Sequence, residues 1–314
     1  MDVLKSKVKI SGSWIAIFVL ILVPSIVYGD KFFSTVNAFN VLRQMSMIGL
    51  ISIGMTCVIL TAGIDLSVGA TVALAAVMSA MLTEKSVFLA ILLPILTGIL
   101  IGAVNGFVIA KLKIVPFIAT LAVQMAVRGI AYIITDIQSI PVAKEAAQFA
   151  ILGRGYFYGV PIPVIILAVM LAVMGFVCHR TPFGRSLYAI GGNEDAANMM
   201  GIKVARNKAL AYVLTGALSA LAGVILCSRL GAGQPLSGTG WEMDAVAAVA
   251  IGGTLLSGGV GGVEKTLSGV LITALIGNII NLQGNVNTYV QQIIMGAIVL
   301  VVIIIQRRTQ RKEG

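Results

Sequence analysis

Long apolar runs alternate with short polar stretches along most of this chain. Most runs approach or exceed the length that an α-helix needs to cross about 30 Å of hydrocarbon, and they lack the strict alternation of a membrane β-strand. The pattern therefore predicts an all-α, polytopic membrane helix bundle in one domain over residues 1–314. We expect about ten transmembrane helices, at residues 13–28, 46–62, 66–83, 87–110, 114–134, 161–178, 209–227, 242–258, 266–283 and 289–305.

The join between the second and third runs, "TAGIDLSVGA" at residues 61–70, separates two helices or interrupts one helix that re-enters the membrane. Asp65 lies between the two runs, and an ionisable residue at such a depth is a functional candidate. Alternatively, Asp65 is an N-cap that accepts from the backbone N–H of Ser67 or Val68. A similar stretch, "SGTGWEMDAVAAVAIGG", has the Thr239 and Glu242 spacing of a capping box, which favours an internal duplication.

Composition agrees with a membrane protein: 58% of the residues are hydrophobic and 11% are charged, with a mean hydropathy of +1.02. Of the 22 lysines and arginines, 15 fall in segments on the side of the N-terminus and six on the opposite side, while Arg128 lies within a run. Positive residues concentrate in the cytoplasm, so we expect both termini there. The net charge of +10 thus reflects membrane topology, and we expect no nucleic acid partner.

Catalytic chemistry is not visible in the sequence. The ionisable residues within or at the ends of the runs are few, and the three cysteines have no spacing typical of a metal site. The stretch "GVGGVEKT" at residues 259–266 approaches a phosphate-binding loop, but Glu264 replaces the second required glycine. We therefore expect no enzymatic activity, and no metal or cofactor bound by this chain.

Uncharged amides and a few other polar residues recur within the runs. Amide side chains can line a path for a neutral, hydroxyl-rich solute, or they can join one helix to another. Few carboxylates are present to bind a driving ion, which indicates an energy source outside this chain. Our candidates for the solute path or its gating are Asp65, Ser67, Asn105, Gln124, Asn278, Asn281 and Gln291.

Residues 179–208 form the longest cytoplasmic loop of the predicted topology. Gly191 and Gly192 predict a flexible start, Asn193 a helix N-cap, and Gly201 the end of a two-turn helix. Acidic residues occupy the first turn, and Met199 and Met200 are apolar side chains in an aqueous loop. So short a helix needs a surface to hold it, which is either another protein or its own membrane domain.

Several segments together resemble one family. "GRSLYAIGGNEDAANMMGI" resembles the cytoplasmic coupling loop of the ribose-type permeases of bacterial ABC sugar importers. "ILTAGIDLSVGATVAL", "PFIATLAVQMAVRGI" and "GTGWEMDAVAAVAIGGTLLSGG" resemble other segments of that family in the same order. The general importer pattern of Glu-Ala-Ala, three residues and Gly falls on Asp195, Ala196, Ala197 and Gly201. Aspartate replaces the usual glutamate, and a later isoleucine of the pattern falls on Ala211.

The resemblance implies a transmembrane permease domain in the bacterial cytoplasmic (inner) membrane, forming the pathway for ribose or a related monosaccharide. The implied partners are cytoplasmic ABC ATPase subunits that hold ATP and Mg²⁺, a periplasmic or lipid-anchored sugar-binding protein, and a second permease subunit, identical or paralogous. The alternative is a stand-alone channel or secondary carrier for a small polar solute. The implied ATPase-coupling helix comprises Gly192, Asn193, Glu194, Asp195, Ala196, Ala197, Met199, Met200 and Gly201.

Overall fold

The computed structural model describes residues 12–284 and residues 290, 293, 294, 296–298, 300, 301 and 304. Their helices are α1 (Gly12–Tyr28), α2 (Asp30–Phe33), α3 (Thr35–Leu60), α4 (Val68–Leu82), α5 (Val87–Ala110), α6 (Pro116–Thr135), α7 (Ile151–Arg154), α8 (Ile162–Arg180), α9 (Pro182–Gly192), α10 (Glu194–Met199), α11 (Val204–Leu230), α12 (Trp241–Ile251) and α13 (Val263–Gln283). A 3-10 helix precedes α7 at Lys144–Ala150. Two antiparallel pairs of two-residue strands join β1 (Ile140–Pro141) to β4 (Ala232–Gly233) and β2 (Tyr156–Phe157) to β3 (Val160–Pro161).

The predicted membrane helix bundle is confirmed in its architecture. In the part of the chain that the structure describes, six helices are long and apolar enough to cross a membrane, namely α3, α5, α6, α8, α11 and α13. Each of the nine runs predicted before residue 284 overlaps a helix, and the run 87–110 agrees at both ends. The total of ten spans and the cytoplasmic placement of both termini remain predictions.

Two predicted boundaries are wrong by more than five residues. The helix predicted at 46–62 begins already at Thr35, because the Ser34 side chain caps its first turn by accepting from the Asn37 backbone N–H. The helix predicted at 242–258 ends at Ile251, where two glycines follow and Gly253 takes a left-handed φ of +92°. Glycine adopts that conformation without steric cost, so it ends the helix.

Helices α3 and α11 lie at the centre of the bundle, and α11 packs against α3, α4 and α5. The contact with α5 brings the two backbones together. A Cβ atom added at Gly98, Gly102 or Gly106 would overlap Gly216, Tyr212 or Ala209 of α11 respectively. Small residues four apart allow this approach in membrane helices, where backbone packing replaces the hydrophobic effect as the source of association.

Two short helices begin beside each other inside the bundle. Residues 61–67 separate α3 from α4, so "TAGIDLSVGA" divides two helices. Helix α4 has 15 residues and α12 has 11, about 22 and 16 Å of helix, which is less than the hydrocarbon thickness of about 30 Å. At the start of α4, a Cβ atom added to Gly69 would overlap the Gly238 carbonyl and the Glu242 carboxylate, which lie at the start of α12.

The segment that leads into α12, residues 231–240, is called here the α11–α12 loop. It follows α4 closely, with Gly233 against Ala76 and Gly238 against Gly69. The capping box predicted for this segment is wrong: the Thr239 hydroxyl donates to the Leu236 carbonyl at 2.7 Å, and Gly240 is the N-cap residue with a φ of 86°. The threonine hydroxyl therefore closes the turn before the helix and does not cap it.

Candidate functional site

The cytoplasmic segment of the predicted topology contains a helix, α9, that the apolar runs of the sequence do not predict. Helix α9 begins after Thr181, whose hydroxyl accepts from the Gly184 N–H at 3.2 Å, with Pro182 as its first residue. Leu187 and Ile190, three residues apart, bury one face of this helix. A threonine before a proline, followed by apolar residues three apart, is the sequence signal that identifies such a helix.

The flexible start predicted at Gly191 and Gly192 is wrong, because both residues lie in the last turn of α9. Gly191 fits against backbone on two sides: an added Cβ atom would overlap the Leu60 carbonyl at the end of α3 and the Gly259 nitrogen. Those two groups are themselves joined, since the Gly259 N–H donates to the Leu60 carbonyl at 3.1 Å. The glycine is thus required for packing, and it fixes α9 to the end of α3.

A second contact ties α9 to the loop between α12 and α13. The Tyr188 hydroxyl donates to the Gly261 carbonyl at 3.3 Å, and burial raises the pKa of this phenol to about 12. Residues 259–266 therefore act as a packing surface for α9. Glu264, which spoils the phosphate-loop pattern, pairs with His179 at 3.0 Å at the end of α8. To bind phosphate, residues 259–266 would have to break their contacts with Tyr188 and His179.

The short helix predicted after Asn193 is confirmed as α10. The Asn193 side chain accepts from the Ala196 N–H at 2.9 Å, and Gly201 follows the helix with a φ of +80°. Ala197 is fully buried, which places α10 against its own membrane domain. Glu194 forms an ion pair with Lys208 of α11, so the first turn of the helix is attached to α11 as well.

The opposite face of α10 is open to solvent. Met199 is 88% exposed and Met200 is 69% exposed, which makes them a pair of adjacent exposed apolar side chains in a segment that the predicted topology places in the cytoplasm. Gly192 and Asp195 are also exposed at the start of the helix. An unbranched, polarisable methionine adapts to a partner surface, and exposed apolar side chains in a cluster mark protein interaction sites. The arrangement presents a fixed contact surface.

Three of the candidate pathway residues form one buried polar cluster at the start of α4. The Asp65 carboxylate accepts from the Ser67 N–H at 2.9 Å and from the Ser67 hydroxyl at 2.6 Å. The Asn105 amide of α5 donates to the Ser67 hydroxyl at 2.8 Å, and Thr120 of α6 accepts from the Leu66 N–H. Asp65 thus satisfies backbone at the start of α4, as a cap does, and the cluster joins α4 to α5 and α6.

A second polar group lies where α6 meets the α11–α12 loop. One terminal nitrogen of the Arg128 guanidinium, Nη1, donates to the carbonyls of Pro235 and Ser237, both at 2.7 Å. One turn earlier, the Gln124 amide approaches Glu242 at 3.5 Å, a long contact for a hydrogen bond. Arg128 therefore holds the loop to the helix, and the sequence marked this residue only as a charge within an apolar run.

The remaining candidates lie elsewhere. Asn278 of α13 and Asn37 of α3 donate to each other, at 2.6 and 3.2 Å, so this pair joins two helices. Asn281 is exposed near the end of α13. Gln291 falls outside the described residues. The structure therefore separates the candidates into the buried cluster of Asp65, Ser67 and Asn105, the Gln124 group and the Asn278 pair.

Comparison with known proteins agrees with this architecture. Residues 37–303 match the family model described as the branched-chain amino acid transport system / permease component. The chain is 46% identical over 299 residues to the ribose import permease protein RbsC of Bacillus subtilis (strain 168), covering 95% of this chain and 92% of the relative. It is 39% identical over 302 residues to RbsC of Escherichia coli (strain K12), covering 95% and 94%.

A third relative is the L-arabinose transport system permease protein AraH of Escherichia coli (strain K12), 37% identical over 302 residues, which cover 95% of this chain and 91% of the relative. No solved structure matches the chain. The family model covers most of the sequence, and the relatives align along nearly their whole length. The chain therefore belongs to the permease-component family of the branched-chain amino acid transport systems, as a multi-pass membrane protein most similar among these relatives to ribose import permeases.

Proposed function

We propose that this chain is the transmembrane permease subunit of a binding-protein-dependent ABC importer, and that it forms the pathway for ribose or a related monosaccharide. The names and identities of the relatives support the importer and the sugar class. The observation that carries the proposal is α10, a six-residue helix whose inner side is anchored on the membrane domain while Met199 and Met200 face solvent. A partner protein can bind to such an exposed apolar surface.

The partner that binds this surface is a cytoplasmic ABC ATPase subunit, which holds ATP and Mg²⁺, while this chain binds no cofactor. A helix of six residues is unstable alone in water. The Glu194–Lys208 pair and buried Ala197 hold α10 in place before any partner arrives. Closure of the ATPase subunits on ATP then moves α10, and the contact of Gly191 with the end of α3 passes this displacement to the membrane helices.

The complete importer further contains a periplasmic or lipid-anchored sugar-binding protein and a second permease subunit, identical or paralogous. It resides in the bacterial cytoplasmic (inner) membrane, with ten spans and both termini in the cytoplasm. Among the candidate pathway residues, partial exposure supports Gln124 as a lining residue. The fully bonded position of Ser67 between Asp65 and Asn105 supports gating through the start of α4.

The double substitution Met199→Arg with Met200→Arg tests the docking surface. Both side chains are exposed, so the fold of the chain is retained, while the charge prevents apolar contact with the ATPase. Burial of a methionine contributes about 1.5–3 kcal/mol, so we expect the ATPase to bind at least about tenfold more weakly. Co-purification of the subunits and ATP-dependent uptake of radiolabelled ribose into proteoliposomes measure the effect.

The matched control is Leu112→Arg, which changes another exposed apolar residue in the turn between α5 and α6. It should leave co-purification and uptake near wild type. Uptake at the wild-type rate in the Met199/Met200 variant contradicts the proposal. So does ribose flux through liposomes that contain this chain alone, which is the behaviour of a stand-alone channel or secondary carrier.

A further inference from the structure

Helix α6 carries a polar stripe at membrane depth. Gln124, Arg128 and Tyr132 are spaced by four residues, so they lie along one side of the helix, and all three are partly exposed. With a rise of 1.5 Å per residue from Pro116, Arg128 lies about 18 Å from the beginning of α6 and about 10 Å from its end. A guanidinium at this position lies within a hydrocarbon core about 30 Å thick.

The α11–α12 loop extends the stripe into a wider polar face. The Pro235 and Ser237 carbonyls of the loop accept from Nη1 of Arg128. The other two nitrogens of this guanidinium have no hydrogen-bond partner among the described residues. Two residues of the same loop are exposed: Gln234, which directly precedes Pro235, and Thr239, two residues after Ser237. The amide of Gln234 has no hydrogen-bond partner in the described part of the chain. The face therefore offers unused donors and acceptors at the surface of a single subunit.

This polar face cannot lie against lipid tails. Hydrocarbon offers no hydrogen bonds, and charged residues at this depth face the interior of a bundle or a water-filled cavity. Another side of α6 has the opposite character: Ile133 is 82% exposed and lies about 140° around the helix from Arg128, and Ile130, about 160° from Arg128, is 50% exposed. Helix α6 thus has one face suited to lipid and another suited to water.

We propose that the polar face of Gln124, Arg128, Tyr132, Gln234 and Thr239 is this subunit's half of an aqueous solute path and binds the hydroxyl groups of the passing monosaccharide. The inference rests on the proposed permease function, because a second permease subunit closes the path. Amide, hydroxyl and guanidinium groups donate to and accept from sugar hydroxyls, while the tyrosine ring packs on the apolar side of a sugar ring. The bonded Asn37–Asn278 pair lies outside this path.

Single cysteines introduced in the assembled complex test the path. The variants are Gln124→Cys and Gln234→Cys, with Thr239→Cys as a third position, and the control on the lipid side of α6 is Ile133→Cys. The native Cys57, Cys178 and Cys227 are buried, so the chain without an introduced cysteine gives the background rate of labelling. A charged methanethiosulfonate reagent reacts with a thiolate, which forms in water and hardly at all in hydrocarbon.

In proteoliposomes with ATPase and binding protein, we expect the cysteines on the polar face to react about tenfold or more faster than Ile133→Cys. We also expect ribose to slow their reaction at least threefold under turnover conditions. If the complex imports ribose while the three path cysteines react no faster than Ile133→Cys, or show no protection by sugar, this inference is overturned and the permease function stands. Absence of ATP-dependent import by the unmodified complex overturns the permease function itself.

Discussion

The change Gly191→Ala tests whether α10 acts on the membrane helices through the end of α3. The new methyl group would overlap the Leu60 carbonyl and the Gly259 nitrogen, both of them backbone atoms that no side-chain rotation can move away. Overpacking of this kind costs about 1–3 kcal/mol, and loss of the Gly259 to Leu60 hydrogen bond adds about 0.5–1.5 kcal/mol. A total of about 1.5–4.5 kcal/mol lowers the equilibrium ratio of attached to detached α9 at least about tenfold.

The measurement is the number of ribose molecules imported per ATP hydrolysed by the reconstituted complex. We expect this ratio to fall at least about tenfold while ATP hydrolysis continues, because the ATPase still binds the Met199 surface. The control is Gly175→Ala in α8, where an added Cβ atom meets no heavy atom within 4 Å. Replacing glycine inside a helix without a clash is neutral or stabilising by up to about 1 kcal/mol. Equal import ratios for the two variants refute transmission through Gly191.

Two further predictions concern buried polar groups. Asp65→Asn keeps an oxygen that accepts from the Ser67 N–H, so ribose uptake should remain near wild type. Asp65→Ala removes that acceptor and should lower the free energy of unfolding, measured by a melt in detergent, by about 1–3 kcal/mol. Uptake abolished by Asp65→Asn would instead indicate an ion site. Asn278→Ala removes the donor to the Asn37 side-chain oxygen, while the Asn37 amide nitrogen keeps its hydrogen bond to the Phe32 carbonyl. We expect this change to destabilise the protein by about 0.6 kcal/mol, up to about 1.7. The double variant with Asn37→Ala should lose less free energy of unfolding than the two single variants lose together. Strictly additive losses would argue against a hydrogen bond between the two side chains.

Hydropathy predicts the long helices well because each one carries enough apolar surface to face lipid or pack in the bundle. The polar beginning of α3 is not detected by hydropathy, since Asn37, Asn40 and Arg43 interrupt the apolar run although their backbone is helical. Helix α9 is missed for a related reason: it is amphipathic and lies beside the bundle, so no run of membrane length marks it. Its Thr181–Pro182 start is a local signal that the sequence does contain.

Partners of buried polar residues are harder to predict. Asn105 and Ser67 are 38 positions apart, and Asn37 and Asn278 are 241 positions apart, so each pairing depends on how the helices are arranged. The Asn193 cap of α10, in contrast, involves residues three apart and follows from the local sequence. Capping motifs also mislead when a turn competes for the same hydroxyl, as the Thr239 bond to Leu236 demonstrates.

The glycine contacts between α5 and α11 join these two helices into one rigid unit. Their backbones touch at Gly98, Gly102 and Gly106, so one cannot slide or tilt without the other. Helix α11 begins five residues after α10 and is 27 residues long, about 40 Å. In the proposed importer, a displacement of α10 therefore reaches both helices together and extends along the whole length of α11, without any change inside either helix.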